Sequence, residues 1–158
     1  VEAEVQPMCA QRGVSILPYS PMAQGLLTGK FHSPDEVPEG RARTRLFSKD
    51  RPESRHDEPG CEEAMFAALD RIREIAEDVG KEMNHVALAW LLSRERVVSV
   101  LAGARNAEQA RDNAAAAGTE LSDDTLRALS EATRPLKEYV GSNIDLWQTD
   151  SRANKSET

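Results

Sequence analysis

Arg105 follows a short apolar run, residues 97–101 (VVSVL), and an Ala-Gly-Ala turn, and it directly precedes Asn106. Asn at this position is typical of a helix N-cap. A strand that ends in a glycine-containing turn and a helix start presents unpaired backbone N–H groups and the positive end of the helix dipole, and both bind phosphate. The Arg105 guanidinium could bind the same phosphate through two parallel hydrogen bonds. This junction is therefore a candidate anion site.

Gln109 and Asn113 lie one turn apart in the segment after this junction. On a helix they share one face, from which their amide groups could read the edge of a base. The alternative is that Asn106 and Gln109 only cap the helix, in the Asn-x-x-Gln pattern of a capping box, while Arg105 is solvated. The full G-x-G-x-x-G pattern of a dinucleotide site is absent, so the spacing alone leaves both interpretations open.

A second junction follows residues 14–19 (VSILPY). Ser20 could hydrogen-bond a ligand oxygen, Pro21 fixes the turn, Gly25 permits close approach of the backbone to a phosphate, and Lys30 could supply charge. The spacing does not match a Walker A loop. The alternative is an ordinary strand-to-loop turn that ends in a surface lysine.

Other residue types with catalytic potential give weaker signals. We interpret the three histidines as surface or capping residues, the two cysteines as structural thiols, and three closely spaced arginines as part of a solvated loop. These residues are His32, His56 and His85, then Cys9 and Cys61, then Arg41, Arg43 and Arg45. No spacing of zinc ligands is present, so we assign no metal ligand.

The elements that must position these residues alternate between helix and strand. The patterns predict strands over residues 14–19 and 97–101, a long loop over 31–60, and helices up to Arg12, over 61–79, over 84–94, from Asn106 to Gly118, and from Ser122 to Pro135. Such alternation indicates βαβ units and parallel pairing. Both strands are of the buried type, apolar on both faces, and so require neighbours that two strands alone do not supply. Residues Trp90, Leu91 and Leu92 are expected in the core.

Composition limits the function classes. The formal charge is −7, from 27 acidic and 20 basic residues, which argues against general affinity for nucleic acid or anionic membranes. No apolar run approaches the roughly 20 residues that cross a bilayer, and no leader pattern is visible, so we expect a cytoplasmic protein. The length of 158 residues is well short of the roughly 250 of an eightfold β/α barrel.

Four ordered motifs together resemble a known family: YSPMAQGLLTGKF, VALAWLL, GARNAEQARDN and LSDDTLRALSEAT. They are similar to the C-terminal part of the aldo-keto reductases, which are NADP(H)-dependent (β/α)8 barrels. The resemblance implies an α/β fold, a partial TIM barrel with about two parallel strands, the seventh and eighth, and surrounding helices. It implies a domain over residues 1–147 with a lid-type loop over 31–60. Residues 148–158 contain no apolar side chain larger than alanine, so we expect a flexible tail there.

The resemblance also implies a cofactor site. The segment over residues 20–30 would wrap the pyrophosphate, through Ser20, Pro21, Met22, Gly25, Leu26 and Lys30. The segment over residues 103–113 would hold the adenosine 2′-phosphate and the adenine, with Gly103 in the turn, Arg105 on the phosphate, and Gln109 and Asn113 on the base. The family commonly has Leu in place of Met22, Glu in place of Asp112, and Thr-Pro in place of Glu82-Met83.

The catalytic tetrad of the family, Asp, Tyr, Lys and His, comes from the first half of the barrel, and no recognisable version stands in this sequence. Neither Tyr19 nor Tyr139 matches the motif of the tetrad tyrosine. We therefore expect a C-terminal fragment of an NADP-dependent reductase of small-molecule carbonyl compounds, without catalytic residues and inactive alone. The alternatives are a non-catalytic nucleotide-binding module, a module completed by a chain that supplies the missing half barrel, and an inactive truncated gene product.

Overall fold

The computed structural model describes residues 1–142 and 145–147. These residues contain six α-helices: α1 (Val5–Arg12), α2 (Glu62–Asp78), α3 (Met83–Leu92), α4 (Ala107–Ala115), α5 (Asp123–Ala132) and α6 (Arg134–Val140). Short 3-10 segments lie at Ala23–Thr28, Pro34–Glu36, Glu39–Arg41 and Ala116–Gly118. The predicted tail, residues 148–158, lies outside the described residues.

The helix ends follow local signals in the sequence. Gly13 ends α1 in the left-handed conformation, with φ of 67°, and Gly80 follows α2 with φ of 64°. The Ser122 hydroxyl accepts a hydrogen bond from the Thr125 backbone N–H at 3.1 Å and so caps α5. Pro135 does more than mark the end of that helix, because it stands in the first turn of α6, where its missing N–H is tolerated. Helix α6 was not predicted.

The two predicted strands lie side by side but form no continuous ladder. Isolated parallel bridges join Ile16 to Val97 and Tyr19 to Leu101. The Leu101 N–H donates to the Pro18 carbonyl at 2.9 Å, and the Ile16 N–H donates to the Arg96 carbonyl at 2.8 Å. Pro18 has no N–H to donate, which interrupts the ladder between the two bridges. The parallel direction was predicted correctly, whereas continuous strands were not observed.

The two segments have the sequence pattern of buried strands, but several of their apolar side chains are exposed, because the neighbours that such strands require are not found among the described residues. Tyr19 is 72% exposed, Val98 62% and Leu101 56%, and Leu17 is exposed too. Within the described residues neither segment pairs with a third one, so no neighbouring strand covers their outer apolar side chains. Burial of this kind of strand requires cover on both faces.

The described chain separates into two compact units. The first unit comprises Val1–Lys30 and Ile72–Leu129. Its buried apolar side chains come mainly from the end of α2 and from α3, and they include Cys9, Leu26, Ile72, Ile75, Ala76, Met83, Val86, Leu88, Ala89, Ala116 and Leu129. Trp90, Leu91 and Leu92 are only half-buried, so the prediction that they lie in the core was too strong. The Arg94 guanidinium lies 4.7 Å from the Trp90 ring centroid.

The second unit comprises Phe31–Arg71 and the described residues from Ser130 onward. Its buried apolar side chains include Phe31, Val37, Ala42, Phe47, Met65, Phe66, Ala68 and Leu69. Half of these come from the segment predicted to be a long loop. That segment has little regular structure, as predicted, but it contributes to a core.

Of the three polar residues that are buried in this segment, Thr44, Arg45 and His56, the last two are buried contrary to prediction. Arg45 is only 5% exposed, and its Nε donates to the Glu58 carboxylate at 2.7 Å. His56 is buried too, with its Nε2 atom 3.0 Å from the Thr44 carbonyl. The solvated-loop interpretation therefore fails for Arg45, and the surface interpretation fails for His56. In both cases a partner in the same segment satisfies the polar group that burial removes from water.

The described residues contain no helix with both the length and the apolar character that crossing a membrane requires.

Candidate functional site

The two predicted phosphate-binding segments begin at the same edge of the first unit. The Tyr19–Leu101 bridge is parallel, so both chains leave it in the same direction. Ser20 continues one of them and Ala102 the other. The carboxyl ends of adjacent parallel strands are the usual place for ligands in α/β folds. The structure therefore brings together the starts of the two segments that the sequence separates by about eighty residues.

The backbone of the first segment adopts an unusual conformation. Ser20, Ala23 and Gln24 have positive φ values of 52°, 45° and 61°, and Gly25 follows with φ of 96°. Non-glycine residues in this region are uncommon and store strain, which persists where the surrounding structure determines it and often marks a ligand site. The segment is held by its own hydrogen bonds, among them one from the Gly25 N–H to the Met22 carbonyl at 2.8 Å. Sequence reasoning singled out Ser20 and Gly25, but it did not predict the strained backbone and missed Ala23 and Gln24.

The predicted side chains of this segment differ in exposure. Pro21 and Leu26 are buried, Met22 and Gly25 are half-buried, and Ser20 and Lys30 are exposed. A buried proline and leucine can hold the segment on the core, while an exposed serine stays accessible to a ligand.

Lys30 lines a cavity that the other predicted cofactor residues do not line. It lines a cavity of about 360 Å³ together with residues of α2 and the start of α3, including Arg73, Glu77, Lys81 and Met83. None of the other nine predicted cofactor residues lines this cavity. The structure therefore does not bring Lys30 together with them there.

The turn before α4 is fixed by three hydrogen bonds from its own helix. The Asn106 side-chain oxygen accepts from the Gln109 N–H at 2.9 Å, which confirms the predicted N-cap. The Gln109 side-chain oxygen accepts from the Arg105 N–H at 3.0 Å, and the Asn113 amide nitrogen donates to the Gly103 carbonyl at 3.1 Å. The two predicted base-reading residues thus brace the turn, and each still has one amide atom that these bonds do not use.

Arg105 itself is exposed. Within the part of the chain that the structure describes, its guanidinium makes no hydrogen bond or ion pair. An exposed guanidinium beside a helix N-terminus suits the binding of a phosphate group that arrives from solution.

Helix α4 also contacts α3 through a cluster that sequence reasoning missed. The Asn84 amide nitrogen donates to Asp112 Oδ2 at 2.6 Å, and His85 Nε2 lies 2.8 Å from Asp112 Oδ1. His85 was predicted to be a surface or capping residue, whereas its side chain is only 16% exposed and pairs with a carboxylate. No sequence spacing signals this pairing, because 27 residues separate His85 from Asp112.

The groups with shifted pKa values lie in the second unit and do not suit catalysis near neutral pH. Burial raises the pKa of the Cys61 thiol to about 11, helped by the nearby carboxylates Glu58 and Glu62. Burial also raises the pKa of Tyr139, whose hydroxyl accepts a hydrogen bond from the Gly60 N–H at 3.0 Å. A proton-donating tyrosine of the kind that the family resemblance implies requires a lowered pKa, so Tyr139 does not fit that role.

No group of three or more His, Cys, Asp or Glu side chains among the described residues is arranged to hold a metal ion. Cys9 and Cys61 are both free thiols.

Comparison with known proteins decides the family. The sequence profile of the Aldo/keto reductase family matches residues 1–134. The chain belongs to the aldo/keto reductase family. The fold of this family is the TIM barrel, which agrees with the parallel direction of the two bridged segments.

Individual members of the aldo/keto reductase family share about a third of the sequence. The chain is 34% identical to an L-glyceraldehyde 3-phosphate reductase of Escherichia coli O157:H7, over 88% of this chain and 37% of that protein. It is 29% identical to an NADH-specific methylglyoxal reductase of Escherichia coli K12, over 87% of this chain and 39% of that protein.

The fold of the chain also matches a solved structure. The structure of a glycerol dehydrogenase from Gluconobacter oxydans matches 91% of this chain with a TM-score of 0.66 and 26% identity, and the match covers 40% of that protein. The chain therefore spans about two fifths of the length of these aldo/keto reductases.

Proposed function

We propose that this chain forms the cofactor-phosphate end of an NADP-dependent aldo-keto reductase, an oxidoreductase of small carbonyl compounds and alcohols. Residues 1–147 would be the C-terminal part of the barrel domain, with 31–60 as a lid-type segment. The observation that carries the proposal is the parallel Tyr19–Leu101 bridge, from which both candidate phosphate-binding segments leave in the same direction. A cytoplasmic location is part of the proposal.

In this proposal the two segments divide the cofactor between them. The segment from Ser20 to Lys30 wraps the pyrophosphate, and the positive φ values near Gly25 support close approach of its backbone to an anion. Its members are Ser20, Pro21, Met22, Gly25, Leu26 and Lys30. Lys30, which lines a separate cavity, is the member that the geometry supports least.

The second segment holds the adenosine end. Gly103 keeps the turn open, Arg105 binds the 2′-phosphate, and the unused amide atoms of Gln109 and Asn113 face the base. Asn106 both caps α4 and leaves its first N–H groups directed toward the turn. The capping interpretation and the ligand interpretation of this junction are therefore compatible.

The chemistry of the whole enzyme requires more than this chain provides. When bound, the reduced cofactor supplies a hydride to a carbonyl carbon. We assign no catalytic residue here, because neither Tyr19 nor Tyr139 matches the motif of the tetrad tyrosine and burial raises the pKa of Tyr139. We also assign no metal ligand. We expect the 158-residue chain to bind cofactor without turning over an aldehyde.

A second candidate is a non-catalytic module that a further barrel segment completes, on the same chain or another. The exposure of Leu17, Tyr19, Val98 and Leu101 is expected for both candidates, because unpaired apolar strands of this kind are covered in complete barrels. Addition of the missing barrel segment distinguishes the two candidates, since activity toward an aldehyde would appear only for the enzyme.

The test of the cofactor site is the Arg105→Ala variant of the full 158-residue chain, titrated with NADPH and NADH by cofactor fluorescence. We expect NADPH affinity to fall by about 1.5–3 kcal/mol, the range for one hydrogen-bonded charged group, while NADH affinity changes little. Arg111→Ala is the matched control, because it removes one exposed positive charge from α4 outside the proposed site. Equal losses of affinity for NADPH and NADH would contradict the assignment of Arg105 to the 2′-phosphate. If the unaltered chain does not bind NADPH, the proposed cofactor site is wrong.

A further inference from the structure

Helix α4 has little hydrophobic anchorage. None of its residues is buried, and its sequence, AEQARDNAA, contains no apolar side chain larger than alanine. The nearest buried side chain is Ala116, just after the helix ends. Burial of apolar area, which holds most helices on a core, therefore contributes little to the position of the first turns of α4.

Polar contacts to α3 replace that anchorage. Asn84 and His85 are consecutive residues near the start of α3, and they contact the two different oxygens of Asp112, at 2.6 Å and 2.8 Å. Asp112 is 47% exposed, whereas the His85 side chain is 16% exposed. Because both carboxylate oxygens are held, the side chain is fixed in orientation as well as in distance. The pair of contacts therefore restricts both sliding and rotation of α4.

The same helix holds the turn that carries Arg105. Asn113, the residue after Asp112, donates to the Gly103 carbonyl, and Gln109, three residues before Asp112, accepts from the Arg105 N–H. Residues three and four apart lie on neighbouring positions of one helix surface. A displacement of Asp112 relative to α3 would therefore move both contacts that shape the turn.

We propose that Asn84, His85 and Asp112 form a positioning clamp that sets the geometry of the 2′-phosphate site through α4. This inference rests on the proposed function. Asn84 and His85 act through Asp112, α4 and the turn.

The experiment uses the full chain and compares His85→Ala with His85→Gln. Alanine removes the contact to Asp112, whereas glutamine places an amide donor at a similar reach. His32→Ala is the matched control, because His32 is an exposed histidine whose ring makes no hydrogen bond among the described residues. Asn84→Ala removes the hydrogen bond from Asn84 to Asp112. It replaces His85→Ala in the test if that variant does not fold.

Two readouts separate positioning from general stability. The first is amide hydrogen exchange over residues 107–115, which we expect to accelerate about tenfold in His85→Ala, the change that one hydrogen bond to a charged group supports. The second is the ratio of the dissociation constants for NADH and NADPH, which we expect to fall about five- to tenfold in the same variant. His85→Gln should restore both values, and His32→Ala should change neither.

Any other result would contradict either the contact between α3 and α4 or its effect on cofactor binding. Unchanged exchange in α4 for both His85→Ala and Asn84→Ala would show that the cluster is no clamp. Faster exchange with an unchanged ratio of the dissociation constants for NADH and NADPH would show that the cluster stabilises the helix contact but does not position the cofactor site. If the unaltered chain binds no NADPH, or Arg105→Ala leaves the ratio unchanged, the proposed function fails and the positioning role falls with it, while the exchange data still report on the contact between the helices.

Discussion

Arg45 offers a sharp test of how the second unit is held together. Its side chain is 6% exposed, and its guanidinium donates to the Glu58 carboxylate at 2.7 Å, to the Asp145 carbonyl at 3.1 Å and to the Val140 carbonyl at 3.3 Å. Its backbone N–H also donates to the Leu146 carbonyl at 2.7 Å. Arg45 thus links the middle of the irregular segment to the described residues near the C-terminus.

The loss in free energy of unfolding that we expect for Arg45→Ala follows from these partners. Removal of one member of a fully buried ion pair costs about 3–5 kcal/mol. Glu58 is 23% exposed and can be rehydrated in part, which places the expected loss for Arg45→Ala near the lower end, at about 3 kcal/mol. Arg43→Ala is the matched control. Its side chain is 34% exposed, it faces Glu53 at 3.8 Å and lies 5.7 Å from the Trp147 ring centroid, so its loss should be about 0.5–1 kcal/mol.

The assay is urea unfolding of the full chain in a Trp90→Phe background, so that Trp147 is the remaining tryptophan and reports on the second unit. The midpoints and the slopes of the transitions give the free energies of unfolding. We expect Arg45→Ala to unfold at clearly lower urea than Arg43→Ala. Losses that agree within about 0.5 kcal/mol would refute the argument that burial and hydrogen bonding distinguish the two arginines.

Two further predictions concern the same unit. The pKa of Glu62 is lowered chiefly by its hydrogen bond from Arg51, at 2.8 Å, so the stabilisation is fully present above the ordinary value of 4.5 and is lost as the pH falls through the lowered value. Glu62→Gln should therefore cost about 1.5 kcal/mol at pH 7 and progressively less below about pH 4.5, as measured by urea unfolding, and a pH-independent cost would contradict the assignment. Gly60→Ala should destabilise by more than about 3 kcal/mol in the same assay, because a Cβ at φ of +78° would lie 2.4 Å from the Phe47 carbonyl carbon. Gly80→Ala, at φ of +64° with open space, should cost only about 1 kcal/mol. Because Gly80 lies in the first unit, its unfolding is followed through Trp90 in a Trp147→Phe background, and similar losses for both variants would rule out the close contact at Gly60.

The features that could be predicted from the sequence depend on residues close together in the chain. The cap at Asn106 and the stop at Gly13 involve partners within about four residues, and both are observed. The parallel direction of the two strand segments followed from the alternation of elements. The family followed from motifs of about ten residues each.

The features that could not be predicted depend on distant partners. Burial of Arg45 requires Glu58 and carbonyl groups about a hundred residues further along the chain, so its neighbours in sequence gave no signal. The contact between His85 and Asp112 crosses two helices. Exposure of the strand segments reflects which neighbours are present to cover them, and a buried-type sequence pattern does not report that.

The central claim is that two segments, leaving one parallel bridge in the same direction, bind the phosphates of a single cofactor. An NMR titration of the ¹⁵N-labelled chain with NADP⁺, and separately with NAD⁺, tests it most directly. We predict that the backbone amides of Ser20, Gly25, Gly103 and Arg105 shift with a single dissociation constant for NADP⁺, and that the shifts at Gly103 and Arg105 weaken with NAD⁺. Shifts confined to one segment, or different dissociation constants for the two segments, would contradict the claim.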